Sequence, residues 1–428
     1  MMIKVILVIG LLLILILLIP YWTGIEAEKQ LHHLNHVFYP TMNLQPVESH
    51  YQRGWFHSRA QSTLEIPKTL VFSFPPQRLV LTHEINHGLL PVKPTLIHTQ
   101  LQTDDHETTL LKINTVVSGN GESISTLEMI PLTFQEAGTH LQLQNLQGQV
   151  RIKFPSARVQ VELHNPQIQL TTEIDQLLMQ GVTLNMELPA TSSEVLQGEG
   201  YLTVEQSEIL SRRQPVIPLQ FQKIKLVAHN NILSDYLTTD LKVDLQQVGI
   251  GTDSYGPNQG KLELRHWHVP SLSALITNFM AIEPQNLLPS PNNYLTLLKI
   301  MPYGITLLQH HPEVAITHLK INTAAGELQG TMQLKFESTQ LSYWALLNPV
   351  ELFNRLQVQA QIHLPKPLLK TITTWAEATL PQLPEPGMRW DKLIALETNS
   401  DYFSIQLQLE KGVLQVNGKP LINNGLRK

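Results

Sequence analysis

The stretch that decides the fold runs from residue 141 to residue 170 and reads LQLQNLQGQVRIKFPSARVQVELHNPQIQL. Apolar and polar residues alternate along it, and the turn-like segments NLQG, PSA and HNP separate the alternating runs. A period of two is typical of strands that bury one face, and closely spaced turn residues are typical of hairpins. The stretch therefore predicts an antiparallel meander whose strands are polar on one side and buried on the other.

The same period of two extends in both directions from this stretch. Leu111, Ile113, Thr115 and Val117 alternate with other residues before SGNGES, whose Gly and Asn residues predict a hairpin loop. Further strands are predicted on both sides of this hairpin, at residues 79–85, 241–245, 262–264, 314–321, 328–336, 356–364, 403–409 and 413–416.

The amino terminus contains an apolar run from Val5 to Ile19, preceded by Lys4 and followed by Tyr21 and Trp22. With its flanks the run approaches the roughly 20 residues that a helix needs to span a bilayer. Lys4 suits the cytoplasmic headgroups, and the two aromatic rings suit the opposite interface. A cleaved signal peptide is the alternative, but no good Ala-x-Ala site follows the run. We therefore expect a retained anchor over residues 1–24, with the remaining chain in the periplasm.

Helical spacing appears mainly in the second half of the chain. Apolar residues three and four positions apart predict helices there, and in an α+β protein such helices cover one face of the sheet. The predicted class is therefore α+β, dominated by β structure: an N-terminal transmembrane helix, large antiparallel sheets of meander hairpins, and several covering helices in the C-terminal half. The helical segments are 271–282, 293–301, 343–353 and 367–380.

The predicted organisation has three regions. Residues 1–24 form the membrane anchor, and residues 25–270 form a β-rich periplasmic region that starts with a short juxtamembrane helix over residues 25–38. Residues 271–428 form a mixed region of helices and strands that ends in a β-hairpin. The sequence does not decide whether the two strand-rich parts are repeats of one unit.

Composition excludes several classes of function. The formal net charge is −5 and charged residues make up only 15% of the chain, without the basic clusters that nucleic-acid binding requires. The chain contains no cysteine, which excludes disulfides, thiolate metal ligands and cysteine nucleophiles. We expect no nucleic-acid partner and no cofactor.

One motif suggests zinc chemistry. His83-Glu84-Ile85-Asn86-His87 matches the H-E-x-x-H pattern of zinc peptidases, in which a helix places both histidines on one metal and the glutamate acts as base. Here the residues before the motif alternate as in a strand, and Gly88 and Pro91 follow it. Histidines four residues apart on a strand are about 13 Å apart, too far to share an ion. A zinc peptidase is therefore an unfavoured alternative, and we expect no metal site and no catalytic residue.

A second motif, YQRGWFHS at residues 51–58, resembles the aromatic, Arg-Gly, aromatic, Ser signature of a bacterial envelope family of unknown function typified by the enterobacterial YdgA protein. Three later stretches resemble that family in the same order: HGLLP at 87–91, the strand pair at 307–336, and the closing hairpin at 403–421. The resemblance implies a protein anchored in the inner membrane of Gram-negative bacteria and facing the periplasm, and it implies no catalytic residue. The motif residues are Tyr51, Arg53, Gly54, Phe56, Ser58, His87, Gly88, Pro91, Asn417 and Gly418.

The residues of these motifs also have a structural interpretation. Gly54 suits a bulge or a left-handed conformation, Arg53 suits a carboxylate or buried carbonyl groups, and Asn417-Gly418 is a typical turn. A functional alternative is that Arg53 meets a lipid phosphate or a carboxylate of a partner.

Two non-enzymatic functions are compatible with the sequence. The first is an envelope scaffold that binds a partner protein, or forms a homodimer, through its sheet edges. The second is a lipid-binding or apolar-ligand transfer module, in which the later helices and a concave sheet enclose a groove. The apolar residues that favour the second function are Met280, Leu287, Leu288, Leu298 and Met301.

Overall fold

In the computed structural model, the chain is described as a succession of strands with few helices. Isolated helical residues between 20 and 32, and residue 351, are also described. The continuous described ranges are 45–65, 78–88, 93–104, 108–136, 138–153, 158–189, 197–211, 218–251, 253–280, 294–337, 354–368 and 401–420.

The chain divides into two compact units. The first comprises Met1–Val195 with Ile209–Val216, and the second comprises Leu196–Glu208 with Ile217–Lys428. The boundary near residue 270 suggested by the sequence falls within the second unit.

The first unit contains a purely antiparallel meander. Strands β1 to β6 pair in chain order, β6 pairs with β9, and β10 pairs with β11 on one side and with β9 and β8 on the other. The short strand β7 pairs with β8. The strands are β1 (Gln45–Gln52), β2 (His57–Glu65), β3 (Arg78–Asn86), β4 (Thr95–Thr103), β5 (Thr109–Val117), β6 (Glu122–Met129), β7 (Leu132–Glu136), β8 (Thr139–Leu143), β9 (Leu146–Lys153), β10 (Arg158–Thr171) and β11 (Asp175–Pro189).

The second unit is a meander as well. The chain continues through β12 (Gly198–Ser211), and from β13 onward each strand pairs antiparallel with the next, except that β14 pairs with both β15 and β16. The remaining elements are β13 (Leu219–Leu233), β14 (Tyr236–Ile250), β15 (Asp253–Tyr255), β16 (Asn258–His268), α1 (Val269–Met280), α2 (Tyr294–Gln309), β17 (Glu313–Thr323), β18 (Gly326–Phe336), β19 (Leu356–Pro365), β20 (Tyr402–Glu410), β21 (Val413–Val416) and β22 (Lys419–Pro420).

The strands follow from the alternation in the sequence. In β10, exposed and half-buried side chains alternate from Arg158 to Leu163, as the period of two requires. The predicted hairpin at SGNGES joins β5 to β6, and its Gly121 has a φ of 81°, a conformation that favours glycine. The strand assignments after residue 310 are confirmed within a few residues.

The α+β prediction is wrong, because the described residues are overwhelmingly antiparallel strand and their helices do not form a covering layer. Helices α1 and α2 lie between β16 and β17, which pair with each other, so the helices are one excursion from a continuous meander. Ile305 of α2 packs against Phe336 at the end of β18, and Leu356 at the start of β19 lies against the same cluster. The helices therefore sit at one end of these strands. The predicted helices at 343–353 and 367–380 lie almost wholly outside the described residues.

The predicted transmembrane helix is not part of the described fold. Val5 to Ile19 lie outside the described residues, and none of the helices that are described has the length and apolar character needed to cross a membrane. The described residues between 24 and 32 are helical, as expected for the juxtamembrane segment.

The tightly packed core of the first unit lies between β2 and β3. Leu64 and Leu81 form a buried cluster there, with Leu101 of β4 against it. Ala60 and Val80 are also almost completely buried. This region positions the motif residues, which lie at the end of the same two strands.

Candidate functional site

Ser58 and His87 form the centre of the motif cluster. Ser58 lies near the start of β2 and His87 directly follows β3, which pairs with β2. The Ser58 hydroxyl lies 2.7 Å from His87 Nε2, and the two residues are 1% and 6% exposed. The backbone N–H of His87 donates to the carbonyl of Phe56 at 2.9 Å, which continues the β2–β3 ladder past the end of the strands. Residues far apart in the sequence are thus brought together by one strand pair.

Tyr51 connects this pair to the amino-terminal segment. Its hydroxyl donates to the backbone carbonyl of Gly24 at 2.9 Å. Burial and the nearby Glu28 carboxylate raise the pKa of Tyr51, while Ser58 and Arg53 act in the opposite direction. The phenol is therefore neutral at physiological pH.

Arg53 provides a second link to the same segment. One of its guanidinium nitrogens lies 3.3 Å from the carboxylate of Glu28, and both side chains are partly exposed. Gly24 lies so close to the cluster that a Cβ there would be 3.3 Å from His87 Nε2 and 3.5 Å from the stem of Arg53. The segment that follows the predicted anchor is therefore docked onto the motif residues.

Both motif glycines are required by close backbone approach. A Cβ at Gly54 would overlap the carbonyl oxygen of His57, and a Cβ at Gly88 would overlap the backbone of Lys93 and Pro94. The N–H of Gly54 donates to the Ser58 hydroxyl at 3.3 Å. These contacts explain the glycines of the Arg-Gly and His-Gly pairs as requirements of the backbone.

Ser58 is the hub of the hydrogen bonds in this cluster. Its hydroxyl is bonded to His87 Nε2 and accepts from the backbone N–H of Gly54. The other ring nitrogen, His87 Nδ1, is buried without a partner among the described residues. These bonds link the segment after β1 to the start of β2 and the end of β3, so the cluster can act as a lock between strands.

The HEINH motif does not form a helix. His83 and Glu84 lie on β3, as the alternation predicts, and their side chains have separate partners. His83 Nδ1 bonds the Thr99 hydroxyl at 2.8 Å, and Glu84 pairs with Arg59 at 2.7 Å. Within the described ranges, no group of three His, Asp or Glu side chains could hold a metal ion.

The remaining motif residues have different positions. Phe56 is 52% exposed, beside the 45% exposed Trp55, and Pro91 lies outside the described residues. Asn417 and Gly418 form the turn between β21 and β22 with φ values of 48° and 75°, which confirms the predicted Asn-Gly turn. The structure therefore brings Tyr51, Arg53, Gly54, Ser58, His87 and Gly88 together, and leaves the closing hairpin in the other unit.

A second feature is an apolar sheet face that is only partly buried. From β5 through β6, β9, β10 and β11, cross-strand register places aliphatic side chains side by side on one face. Each is only half-buried, although the same positions would be covered in an ordinary core. Its members are Leu111, Ile113, Leu127, Met129, Leu146, Val150, Ile152, Val159, Val161, Leu163, Leu184, Met186 and Leu188. We call this set the aliphatic face.

The aliphatic face has almost no free hydrogen-bonding groups. Thr115, Ser123 and Ser125 interrupt it at its edge, and the hydroxyls of Thr115 and Ser125 bond each other at 2.8 Å. At Gly148 a Cβ would collide with the side chain of Leu163, so this glycine allows the leucine to lie across β9. The surface is therefore continuous and presents mainly methyl and methylene groups.

The opposite face of the same strands is polar. Arg151, Arg158 and Glu162 are exposed there, and Arg158 pairs with Glu187 at 3.0 Å. The sequence predicted which face would be polar, but it predicted that the other face would be buried. The structure instead leaves that face only partly buried within the described part of the chain.

Most of the residues expected to line an apolar groove beside the later helices lie outside the described residues. The side chains of Met280, Leu287, Leu288 and Leu298 lie outside the described residues, and Met301 is half-buried. Sequence reasoning also missed Gly24 and Glu28, since nothing in the short segment around them distinguishes docking residues from linker residues.

Comparison with protein families identifies the chain. The family model described as "Bacterial protein of unknown function (DUF945)" matches residues 2–423. The chain belongs to this family. Comparison with curated proteins and with solved structures finds no significant match. The family covers the motif cluster and the aliphatic face, and the predicted resemblance is confirmed at the level of a bacterial family of unknown function.

Proposed function

We propose that this DUF945 protein is a non-enzymatic envelope protein, anchored in the inner membrane by residues 1–24, that binds the acyl chains of lipids on its aliphatic face in the periplasm. The observation that carries the proposal is that face, because large contiguous apolar surfaces on proteins mark sites of interaction. The YdgA-like assignment is part of the proposal and is supported by the order of the four motif stretches.

The chemistry of the face favours acyl chains over other apolar ligands. Its side chains are aliphatic, without the aromatic rings that would stack on a planar ligand. The hydroxyls of Thr115 and Ser125 are paired with each other, so few polar groups remain on the face to orient a polar ligand. The strands β10 and β11 have 14 and 15 residues, and at about 3.3 Å per residue such strands are long enough for an extended acyl chain.

The docked segment supports the membrane-proximal part of the proposal. Gly24 and Glu28 follow the apolar run closely in sequence, and they contact Tyr51 and Arg53 of the first unit. This docking would hold the sheet close to the membrane from which lipid is drawn.

The experiment compares two substitutions on neighbouring residues of one strand. Val161 lies on the aliphatic face and Gln160 lies on the polar face, where Glu187 is a neighbour. Full-length protein carrying Val161→Lys or Gln160→Lys is purified, and bound lipid is measured by mass spectrometry before and after organic extraction. We expect wild type and Gln160→Lys to carry phospholipid and Val161→Lys to lose most of it, since a buried ammonium opposes acyl packing.

Two results would contradict the proposal. The first is that wild-type protein purified from membranes carries no lipid. Equal lipid in both variants is the second, because the aliphatic face would then not be the site.

A second candidate is the partner-binding scaffold, favoured by one edge of the first unit. Among the described residues β1 pairs only with β2, and its Val47 is 53% exposed. An exposed edge strand can accept a strand from another chain. The scaffold function would be favoured if Val47→Pro abolished a homodimer or a partner complex and left the lipid content unchanged.

A further inference from the structure

The second unit contains a polar cleft that is separate from the aliphatic face. The cleft has a volume of about 510 Å³ and lies over β16 to β20. Its floor consists of side chains that share one face of the sheet through cross-strand register: Gln333 lies opposite Gln359, which lies opposite Gln408, and Thr331 lies opposite Gln361, which lies opposite Gln406. The volume is in the range of small-ligand sites.

Several amides of the floor are free to bind a ligand. Among the described residues, the side-chain amides of Gln359, Gln406 and Gln408 have no hydrogen-bond partner, while Gln361 bonds His363 at 3.1 Å. Each free amide offers two donors and an acceptor. A ligand that carries both donors and acceptors, closely spaced, matches this surface.

Charges at one end of the cleft cancel. Arg265 bonds the carboxylates of Glu263 and Glu313, which are 7% and 5% exposed. Glu263 also accepts from Lys261 at 2.7 Å and from Thr317 at 3.2 Å. A bond from Lys261 lowers the pKa of Glu263, so this carboxylate is ionised at neutral pH.

Glu313 is the second carboxylate bonded by Arg265. It accepts from Gln333 at 2.6 Å and pairs with Lys335 at 3.3 Å. Lys261 lies 3.7 Å from Asp240 as well, so three cations face three carboxylates. The cleft therefore has no excess charge with which to select an anionic or cationic ligand.

Recognition by strand addition does not suit the cleft, because the backbone groups beneath it are already used. Strands β17, β18 and β19 are paired on both sides. Strand β20 pairs with β19 along most of its length and with β21 over Leu407–Glu410, and the backbone N–H and carbonyl of Gln406 are bonded by Asn417. An extended peptide binds a sheet mainly through a free edge, whereas this cleft offers side chains only. Adjacent rows of amides are one strand apart, about 4.8 Å, which is close to the length of one sugar residue.

We propose that this cleft is a binding site for a neutral oligosaccharide, whose hydroxyl groups pair with the amides of Gln359, Gln406 and Gln408. One sugar residue per strand would lie across the rows. The site is independent of lipid binding on the aliphatic face of the first unit.

The test uses full-length protein in a zwitterionic detergent without a sugar headgroup, because a maltoside would compete. Calorimetric titration with chitotetraose, maltotetraose and tetra-alanine distinguishes N-acetylated sugars, plain sugars and peptides. We expect saturable binding of at least one oligosaccharide. The double change Gln359→Leu with Gln406→Leu should weaken it by about tenfold or more, since each lost hydrogen bond costs a few-fold to tenfold in affinity.

The matched control is Gln222→Leu, because Gln222 is an exposed glutamine of β13 that lies outside the cleft. This substitution should change the affinity for the oligosaccharide by less than about twofold. Gln408→Ala is a second cleft variant in case the double change disturbs folding. The proposal is overturned if neither oligosaccharide binds saturably, if the cleft variants bind as wild type does, or if tetra-alanine binds in place of the sugars.

Discussion

The free energy of unfolding depends on pH through the buried histidine His83. Burial lowers the pKa of His83 to about 4, below the ordinary value of 6.5. Its Nε2 is sealed from solvent without a partner among the described residues, and its Nδ1 is engaged with Thr99. Folding therefore requires a neutral imidazole, whereas the unfolded chain takes up a proton near its ordinary pKa.

The sign and size of the effect follow from linkage. Because the folded pKa lies below the unfolded one, the unfolded state binds more protons between pH 6.5 and pH 4, and the free energy of unfolding falls as pH falls through this window. The full difference is worth about 3.4 kcal/mol at 1.36 kcal/mol per pKa unit. At pH 5 about 2 kcal/mol of it is already lost relative to neutral pH.

The assay is urea unfolding of full-length protein at pH 7 and pH 5, for wild type and for His83→Gln. Glutamine can still bond Thr99 and does not titrate, so the variant should lose about 2 kcal/mol less on acidification. His98→Gln is the control, since His98 is an exposed histidine on the neighbouring strand that bonds Asn114. This variant should behave as wild type does.

The comparison between variants removes the contributions of other histidines. Burial also lowers the pKa of His87 and of His310, and both remain in every variant. If acidification costs His83→Gln as much stability as wild type, the reasoning about a sealed neutral imidazole is refuted.

Two further predictions concern the motif cluster. Gly54→Ala should lower the free energy of unfolding by about 3 kcal/mol or more, because the new methyl group would overlap the backbone of His57 and the chain must move. Gly304→Ala is the matched change in α2, where nothing lies within 4 Å of the new methyl group, and it should raise helix stability by about 1 kcal/mol. Ser58→Ala should cost about 2 to 4 kcal/mol, since it removes the hydrogen-bond partner of the Gly54 N–H and of the buried His87 Nε2. Urea unfolding measures all three, and a Ser58→Ala protein as stable as wild type would contradict the proposed lock.

Local periodicity predicted the strands well, because alternation depends only on neighbouring residues. The hairpin at residues 118–121 and the strand pairs after residue 310 lie where the sequence placed them. The helix predicted at 271–282 is present as α1 (Val269–Met280), but the fold class was wrong because helical spacing does not reveal what a helix packs against. Tertiary contacts place α1 and α2 at the end of paired strands, not over a face.

The motif cluster was predictable only in part, and from the family resemblance rather than from periodicity. The resemblance selected Tyr51, Ser58 and His87 among others, but no local pattern predicts that Gly24 would accept from Tyr51, because that contact joins residues 27 positions apart. The contact of Ser58 with His87 likewise depends on the pairing of β2 with β3, which brings together residues 29 positions apart.

The aliphatic face shows why function remained open at the level of the sequence. Alternation fixes that Val159, Val161 and Leu163 share one side of β10, yet a covered core and an exposed binding surface require the same alternation. A covered core differs from a binding surface only in what packs over the face, and this depends on other parts of the chain or on a ligand. An aliphatic surface of this extent that is only partly buried would be costly in water. An occupant that supplies acyl chains removes that cost, so lipid content and stability should change together when Val161 is replaced by lysine.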